Sequence, residues 1–195
     1  MTAEIRRVTA RIIRQIWSDG AYDKAILAAL RSSNSILSRN ATAVWPLLLS
    51  NMDKEELSYN GKPTYAERAV FAALRCYAIY QQGKNNDHFV YAPAGKNSDG
   101  QELFSVLSVL RKTEEMQKAL DRRVQTVLGN SNVDSVLNII YHLVAILKGK
   151  SPQAIIDFAQ LSQDLYYFQL TSELARQVCL KWGQQYYRVV KDERN

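Results

Sequence analysis

Few side chains in this sequence have the type and spacing that chemistry needs. Of the two histidines, His88 follows Asp87 in a polar stretch and His142 sits in an apolar run. Neither belongs to an HExxH pair, the spacing that sets two imidazoles on one face of a helix toward a metal. Cys76 and Cys179 are far apart among apolar neighbours and form no CxxC. Glu55-Glu56 and Glu114-Glu115 are adjacent carboxylates at segment starts, and the second pair suits the positive end of a helix dipole. A two-metal nuclease needs carboxylates converging on one point, which adjacency along the chain does not supply. Gly83, Gly95 and Gly100 lack the spacing of a phosphate-binding loop and act as punctuation. The sequence therefore predicts no catalytic residue, no metal site and no cofactor. It predicts His142 packing in its helix or at an interface, and His88 as a plain loop residue.

The basic residues say more. Lys and Arg total 25 against 19 Asp and Glu, a net charge of +6 that favours an anionic partner. Residues 1–40 hold seven basic and three acidic side chains, whereas the rest of the chain is nearly balanced. Arg7, Arg11 and Arg14 lie off the apolar stripe of their segment, and Lys24 and Arg31, seven apart, share a helix face. Arg122-Arg123 is a basic pair inside an apolar-periodic run, and Lys148, Lys150, Arg176, Lys181 and Arg188 complete the set. No zinc-finger, homeodomain or RNP pattern accompanies them. Any nucleic acid would thus be held by its backbone charge, with strong salt dependence, rather than read by its bases. Tyrosine, at eleven, clusters at Tyr166-Tyr167 and Tyr186-Tyr187. Beside apolar neighbours at helix ends, these pairs suit packing or an interface better than base stacking.

The elements that must carry these residues are helices. Apolar residues recur at helical spacing almost throughout, and strand-like alternation is absent over any useful length. Ile5, Val8, Ile12 and Ile16 form a first stripe, closed by Asp19-Gly20, and Tyr22 to Arg31 a second helix. A polar loop, 32–40, leads to the apolar Val44-Trp45-Pro46-Leu47-Leu48. Thr64 and Glu67 form a capping box for the clearest helix, which Gly83 ends. Residues 84–99, rich in Asn, Gly and Pro, make the longest connection. Ser98 is then expected to cap a helix through Leu103 and Leu107, and Thr113 one through Leu120, Val124 and Val127. A helix from Asp134 ends at Gly149, Ser151-Pro152 starts the next, and the last runs from Ser172 to Val189. The result is an all-α helical bundle, divided into an N-terminal sub-bundle, 1–112, and a C-terminal one, 113–195. No secretory h-region is visible at the N-terminus and no run approaches the roughly 18 apolar residues of a membrane span, so the expected compartment is the cytoplasm.

Across nearly the whole chain, a series of blocks resembles the CasB family, the small subunit of the type I-E CRISPR surveillance complex, Cascade. These blocks are LAALRSS (27–33), VWPLL (44–48), AERAVFAALRCYAIYQQG (66–83), SDGQELFSVLSVL (98–110), DRRVQTVLGNSNVDSVLNIIYHLVAIL (121–147), IIDFAQLSQDLYYF (155–168) and VCLKWGQQYYR (178–188). Each is a degenerate helix face; their joint order carries the resemblance. It implies a two-part helical protein without catalysis, packed against the backbone and large subunits of Cascade and against a second copy of itself. It also implies a role in stabilising the hybrid of CRISPR RNA and target DNA, together with the displaced strand. By motif, Arg31 matches the first basic residue of the N-terminal block and Arg122-Arg123 the paired arginines. Lys181 and Arg188 match basic positions around Trp182-Gly183. Lys24 and Arg176 join them as candidate nucleic-acid contacts, with Arg7, Arg11, Arg14 and Lys148 as additional ones. The sequence departs from the family pattern at Ser32, where a second arginine is common, at Tyr141-His142, where Arg is frequent, and at Tyr80, in place of a His. The other reading of these residues is a helical scaffold that binds only proteins. An apolar concave patch without flanking arginines would favour that one.

Overall fold

The computed structural model describes residues 4–18, 20–84 and 89–188. His88, Asp87, Asp19 and Val189 lie outside them. The fold is an all-α bundle in which helix α4, Tyr65–Gln81, is the centre. Its apolar residues go nearly all the way round, and a helix of that kind has to be enclosed. Ala66, Ala69, Ala72, Ala73 and Ala78 are all buried, and their small side chains let α1 (Ile5–Ile16), α2 (Lys24–Ser32), α7 (Val133–Lys150) and α8 (Phe158–Leu170) close on it. The capping box forms as expected. Thr64 Oγ1 accepts from the Glu67 amide at 3.1 Å, and Glu67 Oε2 accepts from the Thr64 amide at 2.7 Å. Gly83 follows at φ +82°, the left-handed conformation that stops the helix.

Helices α1, α2 and α4 cluster at the N-terminal side. The C-terminal cluster comprises α6 (Glu114–Gly129), α7, α8 and α9 (Ser172–Tyr187). The clusters share a core, because α8 packs on both α1 and α4 while α4 also lies against α7. Short α3 (Trp45–Leu49) and α5 (Leu103–Val109) fill the flanks, with α5 lying on α9.

Several boundaries differ from their sequence expectations, and tertiary contacts explain why. Helix α5 takes Glu102 as its N-cap, not Ser98, because Gln101 is held in an extended pairing with Ile156. The Gln101 amide donates to the Ile155 carbonyl and the Asp157 amide to the Gln101 carbonyl, each at 2.9 Å. The same pairing keeps 151–157 out of helix, so α8 starts after Asp157 rather than at Ser151-Pro152. Gly149 does not end α7, which continues to Lys150. A two-residue antiparallel hairpin, β1 (Trp17–Ser18) with β2 (Ala21–Tyr22), joins α1 to α2 where no strand was expected. Gly100 has a role beyond punctuation. A Cβ there would sit 2.1 Å from the Ala92 carbonyl oxygen, so only glycine lets the connection cross itself.

Asp157 joins these parts. Its side chain is wholly buried and accepts from Arg6 Nη2 of α1 at 2.7 Å, from the Ala94 amide at 2.8 Å and from the Gln160 amide at 2.8 Å. Asp157→Ala leaves three donors without their acceptor and should lower stability by about 3–5 kcal/mol in urea denaturation. Arg6→Met spares the two backbone contacts but leaves a buried carboxylate without its cation, and should cost about 2 kcal/mol, the half-exposed guanidinium reducing the loss. Equal destabilisation by the two variants would show that the backbone contacts of the carboxylate contribute nothing.

Candidate nucleic-acid interface

The basic residues expected to meet nucleic acid fall into three groups by what they touch. Lys181 is committed inside the protein. Its Nζ lies 2.9 Å from Asp164 Oδ1 and 3.0 Å from Glu102 Oε1. Burial pulls this ammonium down, but the two carboxylates outweigh burial and hold it above its ordinary value. Asp164 is itself buried and accepts from Trp182 Nε1 at 2.9 Å and from Gln160 at 2.8 Å. Trp182 stacks between Phe104, with centroids 4.9 Å apart, and Phe168, at 6.1 Å. Arg111 belongs with this group, paired to Asp121 at 2.9 Å and lying over the Tyr186 and Tyr187 rings. Burial would raise the Asp121 carboxyl, yet hydrogen bonds from Arg111 and Tyr186 hold it below the usual carboxylate range. Tyr186 is therefore a packing residue, as its sequence context suggests.

A second group gathers along α4, where the structure brings together residues far apart in sequence. Arg31 Nη1 reaches the Ala78 carbonyl at 3.4 Å, and one turn further Gln82 Oε1 accepts from Lys148 Nζ at 3.0 Å. Arg68 and Arg75 on the same helix, and Lys84 just past its end, extend the line. Arg68 pairs with Asp134 at 2.6 Å, Arg75 lies 4.2 Å above the Tyr141 ring and bonds Asn34, and Lys84 folds over Tyr80. Sequence reasoning missed these three. The seven-residue spacing of Arg68 and Arg75 on a strongly apolar helix was the available signal. Tyr141 is buried under Arg75, and its ring seats that guanidinium.

The third group faces solvent. Lys24, Arg11, Arg122 and Arg188 are exposed, and their side chains make no hydrogen bond or ion pair among the described residues. Arg123 is exposed and folds onto its own helix at the Ala119 carbonyl, 2.9 Å away. Arg176 donates to the Leu128 carbonyl at 2.6 Å, covering the open end of α6. Arg7 pairs with Glu4 on the α1 surface, and Arg14 lies 6.0 Å from the Tyr91 ring. Between α6 and α9 runs an open groove of about 740 Å³, lined by Leu128, Cys179, Leu180 and Tyr187, with Arg176 and Arg188 on its rim. His142 is exposed rather than packed. Both cysteines are buried free thiols, and among the described residues no cluster of His, Cys, Asp and Glu could hold a metal. No helix of the described residues is long and apolar enough to cross a membrane.

The described residues define an all-helical protein whose unpaired cations lie on its outside. The particular family is shown by sequence. The family model for CRISPR-associated protein Cse2 matches residues 26–187, and the chain belongs to that family. Its fold is similar to the crystal structure of CasB from Thermobifida fusca, with a TM-score of 0.69 and 22% identity, covering 95% of this chain and 99% of that one. A search of curated protein sequences finds no significant match.

Two substitutions separate structure from surface within α9. Trp182→Ala should lower stability by about 3–5 kcal/mol, since it empties an aromatic stack and strips Asp164 of a donor. Lys181→Met should cost about 1–2 kcal/mol in the same denaturation series, the ammonium being partly solvated. A Lys181 variant of unchanged stability would return that residue to the free surface.

Proposed function

We propose that this chain is the small subunit of a type I-E CRISPR surveillance complex, and that it supports guide RNA, target DNA and displaced strand through backbone phosphates. Its family membership carries this reading. The arrangement of charge supports it: Arg111 and Lys181 are taken up by the protein's own carboxylates, while Lys24, Arg122, Arg123 and Arg188 stay open to solvent. Such a subunit needs no base-reading side chains, because pairing to the guide supplies sequence specificity. Weak contact by each copy suffices, since tethering within an assembly raises the effective concentration. Lys181 is left out of the proposed surface because its ammonium is already saturated by carboxylates.

The rival reading, a scaffold that binds only proteins, draws on one observation, the groove with Leu180 63% exposed. Arg176 and Arg188 on its rim fit a partner that is also anionic, which suits the first reading better. Affinity purification of the tagged chain from its native cells separates the two. Recovery of other effector subunits with short RNAs of uniform length supports the Cascade reading, and recovery of proteins free of RNA supports the scaffold. A second test uses the isolated chain. Arg122→Ala with Arg123→Ala should leave stability within about 0.5 kcal/mol of the parent. It should also reduce the steepness of single-stranded DNA binding against log salt by about 0.7 for each phosphate that the variant no longer neutralises. An unchanged slope would remove α6 from the interface.

A further inference from the structure

Where α4 and α7 end, two ammonium groups come together with no carboxylate paired to either among the described residues. The left-handed Gly83 turns the chain so that the Lys84 amide donates to the Gln81 carbonyl at 3.1 Å. This folds the Lys84 side chain back over Tyr80, with Nζ 3.8 Å from the ring centre. The ring is fixed in place, its hydroxyl lying 2.5 Å from the Ser151 carbonyl and 3.0 Å from that of Ala154. Lys148, in the last turn of α7, is steadied by Gln82. Lys84 Nζ is shielded from water and makes no hydrogen bond.

Helix C-termini favour cations, and that alone accounts for Lys148 and Lys150 at the end of α7. It does not account for Lys84, whose three N–H donors are withdrawn from water onto a ring face that satisfies none of them as an acceptor. Burial first, and then the charge of Lys148, bring the Lys84 ammonium down to about 8. Among the described residues, the two like charges have no anion between them. A phosphodiester supplies one, with two unbridged oxygens able to accept from two donors at once. Arg31 of α2, whose guanidinium reaches the Ala78 carbonyl one turn back on α4, continues the positive path.

We infer that Lys84 and Lys148 form a phosphate-binding site that takes a backbone phosphodiester of a nucleic-acid strand, with Lys84 swinging off the Tyr80 ring to reach it. The inference rests on the nucleic-acid reading above and gives it a specific contact. In the free chain the cation–π contact holds the side chain folded; a strand draws it out.

The test measures anisotropy of a labelled single-stranded DNA oligonucleotide on the full chain across a salt series. Lys84→Met and Lys148→Met are compared with Lys62→Met, a surface lysine outside the site. Methionine keeps the apolar stem over Tyr80, and circular dichroism confirms that each variant is folded. Each site variant should weaken binding several-fold, and the pair together should lower the salt slope by about 0.7, the share of one phosphate, with Lys62→Met unchanged. NMR of lysine labelled at Cε should show Lys84 titrating higher once the oligonucleotide is bound, a change that a purely structural lysine would not show. Binding that persists with an unaltered slope and an unmoved Lys84 titration would overturn this site and leave the general reading intact. A parent chain that fails to bind DNA at low salt would overturn both. A rise in the Lys84 titration as large with inorganic phosphate at equal ionic strength would overturn the assignment to a strand and make the site one for free oxyanions.

Discussion

Asp157 is the interaction on which the arrangement of the helices depends. Its carboxylate is withdrawn from water, a state that is costly unless every lone pair is used. Here the donors come from α1, from the long connection before α5 and from the first turn of α8, three parts remote in sequence. Its own amide meets the Gln101 carbonyl, so backbone and side chain of one residue fix where α8 begins and where the connection runs. With α1 and α8 held at that angle, the remaining space is the slot that α4 fills, and the alanines of α4 follow from its width.

Asp164, seven residues and two turns further on, repeats the device along α8. It orients Trp182 and neutralises Lys181, which ties α9 to α8. These buried carboxylates, together with the partly buried Asp121, sort the cations of the chain. Arg6, Arg111 and Lys181 are spent on internal pairs, and what remains outside is the excess that reaches a partner. A net charge of +6 is modest, and since each internal pair withdraws a cation together with an acid, that excess is left to the outer surface.

Much of the helical layout was legible because its signals are local. Thr64 with Glu67, Thr113 before Glu114 and the apolar stripe of α1 each announce themselves within a few residues, and all three hold in the fold. The misread starts of α5 and α8 have one cause. Ser98 and Ser151-Pro152 are good local caps, but the pairing of Gln101 with Ile156 competes with them, and that contact is invisible along the chain. The candidate surface was legible in composition and not in grouping. Nothing in the spacing of Arg31, Arg75, Lys84 and Lys148 announces a shared helix as their neighbour, and Lys181 looks in sequence like any other exposed lysine. The deciding fact for each is the location of the nearest carboxylate, which only the fold supplies.

The pairing of α1 with α8 also bears on how the chain is made. Thr9 of α1 donates to Ser162 of α8 across 153 residues, so α1 is made well before the helix it packs on. At synthesis rates of about 5–20 residues per second, that interval is roughly 8–30 s. Throughout it Ile5, Ile12, Ile13 and Ile16 have α4 as an early neighbour, while the side that α8 covers stays open. A nascent chain with such an uncovered isoleucine stripe is a natural client for chaperones that bind at the ribosome.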